Sequence, residues 1–161
     1  MDRSFDENAP GNDSGLRLRM RGEERRISSQ HRQLGDLFER TLDSVEAIGP
    51  RKAVGDFLLF QTALEAHMSV EEDIYFPALH GLRNDLKDEL VDLVEEHKEI
   101  RIALDNVKFL MTKANDHDAQ LALIELANRI DQHEEREESL LARITEGPLT
   151  SFGHTSLDGG S

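Results

Sequence analysis

The chain has 161 residues, with 33 acidic against 19 basic side chains and a formal net charge of −14. That length suits one domain with a real core, and that charge argues against nucleic acid or an anionic membrane surface as a partner. The absence of cysteine excludes disulfides, iron–sulfur clusters, zinc–thiolate sites and thiol catalysis.

The N-terminus is polar, without an apolar h-region, and no apolar run approaches membrane-spanning length, so a cytoplasmic protein is expected. Residues 1–15, MDRSFDENAPGNDSG, are rich in turn formers and lack periodicity. Arg17, Arg19, Arg21, Arg25 and Arg26 follow in the stretch 16–26. Residues 1–20 are therefore expected to be a disordered, basic arm, residues 21–146 a bundle, and residues 147–161 a flexible tail. His154, in that tail, has no expected role.

Four helices are predicted. Helix A runs from about Glu23 to Ile48 and stops at Gly49-Pro50. Its inward stripe is Ile27, His31, Leu34, Phe38, Thr41 and Val45. Helix B runs from about Arg51 to Leu79, with Pro77 and Gly81 at its end. Its stripe is Phe57, Phe60, Leu64, His67, Glu71, Ile74 and Ala78. Helix C follows the candidate N-cap Asn84 and reaches about Ala114. Its stripe is Leu86, Leu90, Leu93, His97, Ile100, Leu104, Val107 and Met111. Helix D starts near Asp116 and ends before Gly147-Pro148, with Leu123, Leu126, Ile130, His133, Glu137, Leu140 and Ile144 inward. All four step by three and four, as helices facing a bundle core do. Short connections between long helices predict an all-α, up-down-up-down antiparallel four-helix bundle.

The stripes contain a repeat. An offset of 66 residues carries His31 onto His97, His67 onto His133 and Glu71 onto Glu137. Leu64 goes to Ile130 and Ile74 to Leu140. The chain thus reads as two copies of one helical hairpin, and their packing about a pseudo-two-fold axis would gather all six polar residues. A single histidine on an apolar stripe is ordinarily a hydrogen-bonded core residue, and a His–Glu pair one turn apart is ordinarily a surface ion pair. Six such residues at matched positions need a shared compensating charge, because two buried carboxylates repel and one would take up a proton. Metal ions meet that need, since they bind neutral imidazole and ionised carboxylate. Six ligands exceed the three of a catalytic zinc. Two carboxylates able to bridge, with two histidines on each side and no thiolate, suit a dinuclear iron centre, with manganese, zinc or cobalt as substitutes.

These residues resemble the hemerythrin-like (HHE cation-binding) family across roughly Ser29 to Ile144. The likeness rests on His31, on HMSVEEDIYFP with His67 and Glu71, on EEHKEIR with His97, and on HEEREESLL with His133 and Glu137. It implies a four-helix bundle holding two iron ions (Fe2+/Fe3+) bridged by oxo or hydroxo. His31 and His67 would serve one iron, His97 and His133 the other, with Glu71 and Glu137 bridging. O2, peroxide or nitric oxide would be the small-molecule ligand, and the roles implied are binding or sensing. The alternative is an enzyme that decomposes peroxide, reduces nitric oxide or oxidises iron. A monomer is expected.

Two departures stand out. Oxygen-carrying members have a second helix-C histidine four residues after the first, and Arg101 occupies that position here. This implies two nearly equivalent irons and favours reactivity or sensing over reversible oxygen carriage. The family's spacing for the last carboxylate selects Glu138, whereas the internal repeat selects Glu137; Glu71 fixes the spacing in the other half and favours Glu137. The order His-x-x-x-Glu also separates this site from ferritin-like centres, built on Glu-x-x-His. Among the neighbours, Arg101 is read as an exposed or snorkelling arginine, with contact to a bound anion as the alternative. Gly35, its mate in the repeat, is either an entry point or a close helix contact. Tyr75 is read as a core-edge tyrosine, with a role at the site as the alternative. His80 and His117 are expected to face solvent. Glu72, Glu95, Glu96, Glu134 and Glu135 are expected to form a solvated face from which some hold ligand imidazoles.

Overall fold

The computed structural model describes residues 10–113 and 115–146, and among these there is no strand. Helix α1 spans Pro10–Ile48 and α2 spans Pro50–Val70. A π-helical turn, Glu71–Tyr75, leads into α3, Phe76–Leu82. A 3-10 turn, Asn84–Leu86, precedes α4, Lys87–Lys113, and α5 spans Asp116–Glu146. The long helices form a helical bundle in which α1 packs on α2 and α5, and α4 packs on α2 and α5. Cross-helix partners such as Arg26 with Tyr75, His31 with His67 and Ser44 with Asp56 run in opposite directions along the two chains. So do Glu89 with Arg143, His97 with His133 and Glu99 with Arg129.

The ends of the helices follow local chemistry. Gly49 alone separates α1 from α2, and its φ of 86° is a conformation that a side chain would resist. Pro50 then opens α2, where its missing N–H costs nothing. Asn115 caps α5 by accepting the backbone N–H of His117 at 2.8 Å. Asn84 does not cap α4 as expected; it opens the 3-10 turn, which makes no side-chain cap bond. Helix α1 also corrects the sequence reading, because it starts at Pro10 rather than near Glu23. Residues 10–20 of the expected disordered arm are therefore helical. They include strong helix formers among leucine, arginine and methionine, and they need no inward stripe: Leu18 is exposed. Residues 1–9 and 147–161, with His154, lie outside the described residues.

The predicted stripes of helices A and C are buried throughout. Helix B holds its stripe only as far as Glu71. Beyond it, Ile74 is 58% exposed and Ala78 is exposed, while Phe76 and Leu79 are buried in their place. The cause is the π-turn, in which the N–H of Phe76 reaches back five residues to the carbonyl of Glu71. One residue more than an α-turn is wound in, so everything after it rotates. Pro77 explains why the turn widens here. It cannot donate to a carbonyl four residues back, and its ring would collide with that carbonyl in a regular helix.

Two apolar clusters fill the bundle. One includes Leu34, Phe38, Phe57, Phe60, Leu64, Leu104, Leu123 and Ile130. The other joins Ile27, Phe76, Leu79, Leu86, Leu90, Leu93, Leu140 and Leu141. Along each long helix the polar residues His31, His67, Glu71, His97, His133 and Glu137 fall between the two. No helix among the described residues is long and apolar enough to cross a membrane.

The rotated stripe can be checked by substitution. Leu79→Ala should cost about 2–5 kcal/mol of unfolding free energy, whereas Ile74→Ala should cost under about 0.5 kcal/mol. Urea unfolding of the two variants measures this, and an equal or reversed cost would mean that the stripe continues through Ile74 after all.

Candidate metal centre

The polar layer is built from four helices. His31 comes from α1, His67 from the last turn of α2, Glu71 from the π-turn, His97 from α4, and His133 and Glu137 from α5. All six are buried, Glu71 and His97 completely. They form two sets that share both carboxylates: His31, His67, Glu71 and Glu137, and Glu71, His97, His133 and Glu137. Within each set one donor atom per residue lies within 4.8 Å of the others, and each set could hold a metal ion.

The geometry is regular. The Nε2 atoms of His31 and His67 are 3.1 Å apart, and those of His97 and His133 are 2.9 Å apart. Glu71 presents Oε1 to His67 Nε2 at 2.7 Å and Oε2 to His97 Nε2 at 3.0 Å. Glu137 presents Oε1 to His31 Nε2 at 3.6 Å and Oε2 to His133 Nε2 at 3.3 Å. Each carboxylate therefore gives one oxygen to each half of the layer.

Every imidazole is held from behind through Nδ1. His31 Nδ1 meets Glu138 Oε1 at 3.2 Å and His67 Nδ1 meets Gln30 Oε1 at 2.7 Å. His97 Nδ1 meets Glu72 Oε1 at 2.9 Å and His133 Nδ1 meets Glu96 Oε2 at 2.7 Å. These oxygens accept, so each Nδ1 carries a hydrogen, and the tautomer this selects in a neutral ring turns the Nε2 lone pair inward. Four ring nitrogens and four carboxylate oxygens thus point inward. The oxygens of Glu71 and Glu137 are buried and accept no hydrogen bond of usable geometry. Such an arrangement is unfavourable for neutral or anionic groups alone and is what a metal ligand set requires.

The electrostatics agree. Burial first, then the neighbouring His67, lowers the pKa of His31; burial first, then His97, lowers that of His133. Both are thereby kept as neutral imidazoles. Burial pushes the Glu71 carboxyl up, but hydrogen bonds from His67, His97 and Glu137, which share the protons the layer retains without a metal, outweigh it and hold Glu71 below the ordinary carboxylate range. Burial, then the neighbouring Glu71, pushes Glu137 well above that range. One of the two carboxyls thus keeps a proton until another positive charge replaces it.

The flanking residues sort cleanly. Glu138 stands behind His31, on the outer side of its ring, while Glu137 faces the layer. Arg101 does not reach toward the centre. Its guanidinium grips both oxygens of Glu72, at 2.9 and 3.1 Å, and bonds Glu65 at 2.8 Å. A Cβ on Gly35 would meet nothing within 4 Å, so this glycine is not a close helix contact. Tyr75 is half-buried, and its hydroxyl accepts from Arg26 at 3.5 Å. His80 and His117 are exposed. Of the expected acidic face, Glu72 and Glu96 do hold imidazoles, whereas Glu95 pairs with Lys98. Gln30 was not singled out by the sequence; shifting Glu96 back by 66 residues would have found it.

Comparison with known proteins gives one match. The model of the hemerythrin family, described as the hemerythrin HHE cation binding domain, matches residues 24–144. No curated protein and no solved structure matches the chain.

One neighbour of the layer titrates unusually. Burial, then the carboxylates of Asp131, Glu138 and Glu71, pushes Glu134 up to about 8 from an ordinary 4.5. Folding therefore takes up a proton at Glu134, as it does at Glu137. The stability this gives is complete below about pH 4.5 and is lost as the pH rises through about 8. The lowered His31 and His133 act in the opposite sense, but only below their unfolded value of 6.5. The metal-free protein should accordingly lose thermal stability between about pH 6.5 and 8, and Glu134→Gln should flatten that loss. Melting curves followed by circular dichroism test it; an unchanged slope in the variant would contradict this account of Glu134.

Proposed function

The chain belongs to the hemerythrin family, and from that premise we propose that it holds two iron ions and uses them to bind or sense O2 or a related small molecule, peroxide or nitric oxide. His31 and His67 serve one ion, His97 and His133 the other, and Glu71 and Glu137 bridge them. The observation that carries this reading is the ring of inward lone pairs, four from Nε2 atoms and four from carboxylate oxygens, with every Nδ1 hydrogen already committed outward. Imidazole and carboxylate donors without thiolate suit iron, with other divalent metals as substitutes. Paired irons of this kind supply coordination positions and reversible one-electron chemistry.

The chain's own residues have three tasks. Glu138, Gln30, Glu72 and Glu96 fix each ring in the tautomer that turns Nε2 inward. Glu71 and Glu137 supply the negative charge that two cations need. The apolar clusters on either side exclude water and strengthen every charge interaction in the layer. Each ion receives two nitrogens and two oxygens from the protein, fewer donors than an octahedral iron accepts, which leaves room for an exogenous ligand. Because Arg101 stands where oxygen carriers have a fifth histidine, an oxidoreductase acting on peroxide, nitric oxide or ferrous iron is the second reading.

The architecture supporting this reading is an up-down-up-down bundle of two equivalent hairpins. The opposed cross-helix partners favour it. So does the offset of 66 residues, which extends to the residues behind the rings: Gln30 corresponds to Glu96 and Glu72 to Glu138. The repeat fails after Glu71, where the π-turn rotates Ile74 outward while its mate Leu140 stays buried.

Metal analysis after anaerobic loading with Fe2+ tests the proposal. Two irons per chain are expected, with a near-ultraviolet absorption change on admitting O2. His97→Ala should lose at least one iron while retaining helix content. A wild-type chain that binds no stoichiometric iron would refute the reading. Peroxide or nitric oxide consumption faster than that of equimolar free iron would favour the enzyme over the sensor.

A further inference from the structure

We propose that the two metal positions are unequal: the position at His97 and His133 holds its ion tightly, and the position at His31 and His67 is the exchangeable one. This rests on the dinuclear reading above and concerns what stands behind the rings. The donors that face inward are matched, two imidazoles and two carboxylate oxygens on each side. The supports are not.

Behind His97 and His133 stand two carboxylates, Glu72 and Glu96, whose side chains are only 22% and 16% exposed. Each is braced by an arginine. Arg101 bonds both oxygens of Glu72, and Arg136 Nε bonds Glu96 Oε1 at 2.8 Å. The arginines take some charge off these carboxylates, but they fix each oxygen where its imidazole needs it. Phe76 completes the enclosure by stacking on His97, with ring centroids 5.7 Å apart.

Behind His31 and His67 the supports are weaker. Gln30 offers His67 the oxygen of a neutral amide. Glu138 offers His31 a carboxylate that is 45% exposed, at the longest of the four distances, 3.2 Å. Gly35 stands where Arg101 stands in the other hairpin, so no guanidinium comes from that position. His67 and Gln30 also line a surface groove of about 260 Å3 between α1 and α2, together with Leu34, Leu37, Ala63 and Ala66. A carboxylate behind an imidazole raises its basicity toward a metal, and such partners typically change metal affinity by about 10–100-fold. An amide does less, and an exposed carboxylate is competed for by water. A larger groove, about 720 Å3, lies beside Glu96 and Arg136 but is lined by neither His97 nor His133, whereas His67 itself lines the smaller one; the half of His31 and His67 is therefore the one whose ion leaves and returns.

Titration of the metal-free, full-length protein with Co2+, followed by its visible absorption and by calorimetry, tests the inequality without any activity measurement. Two binding steps separated by about tenfold or more are expected. His67→Ala should abolish the weaker step alone. Gln30→Glu should strengthen the weaker step by about tenfold or more, whereas Gln33→Glu, which adds the same charge one turn along α1, should leave both steps in place. Glu96→Gln makes the second half resemble the first and should weaken the tight step about 10–100-fold, so the test survives if Gln30→Glu fails to fold. Two indistinguishable steps in the wild type, or a weaker step unmoved by Gln30→Glu, would overturn the inequality and leave the dinuclear reading standing. Failure of the wild type to bind two Co2+ would overturn that reading itself.

Discussion

The structure is organised around one electrostatic constraint: four imidazole lone pairs and four carboxylate oxygens are aimed at one another inside an apolar core. The Nδ1 hydrogens are committed outward to Glu138, Gln30, Glu72 and Glu96, so without a metal only protons retained within the layer, as on Glu137, relieve it. Most features of the molecule follow from holding this frustrated layer in place. Burial lowers the proton affinity of His31 and His133, and the close carboxyls divide into one that ionises and one that keeps a proton. Long helices supply the rigid backbone on which six side chains can be aimed with little freedom.

Much of this was legible in the sequence because helix periodicity acts on every residue alike. His97 is polar on a stripe of leucines and isoleucines, and its burial follows from the spacing alone. The same holds for His31 and His133. The choice between Glu137 and Glu138 could be framed from spacing, and the fold assigns the two different sides of the layer: Glu137 faces in, and Glu138 stands behind His31.

What could not be read depends on departures from that periodicity. The π-turn at Glu71–Tyr75 adds one residue to a turn, and no count by threes and fours anticipates it. Pro77 is visible in the sequence, but at the predicted end of helix B a proline points to no widened turn. Arg101 was read by position relative to His97, whereas the carboxylates Glu65 and Glu72 on the facing helix decide where its guanidinium goes. The helical start at Pro10 escapes a reading by stripes because PGNDSG carries no apolar residue at helical spacing.

The polar layer also divides the core. The larger apolar cluster lies at the end where Gly49 joins α1 to α2 and where α4 passes to α5. The smaller one lies at the other end, with the joint between α3 and α4, Ile27 of α1 and the last turns of α5. The two ends are joined by the continuous backbone of the long helices and by the contacts of the layer itself, including Phe76 stacked on His97. The end around Leu79, Leu86 and Leu141 has the smaller set of buried apolar side chains holding it closed, and the end around Phe57, Leu104 and Leu123 the larger. Ligands from every long helix meet in that layer, so a cation held there would clamp the two clusters into one unit.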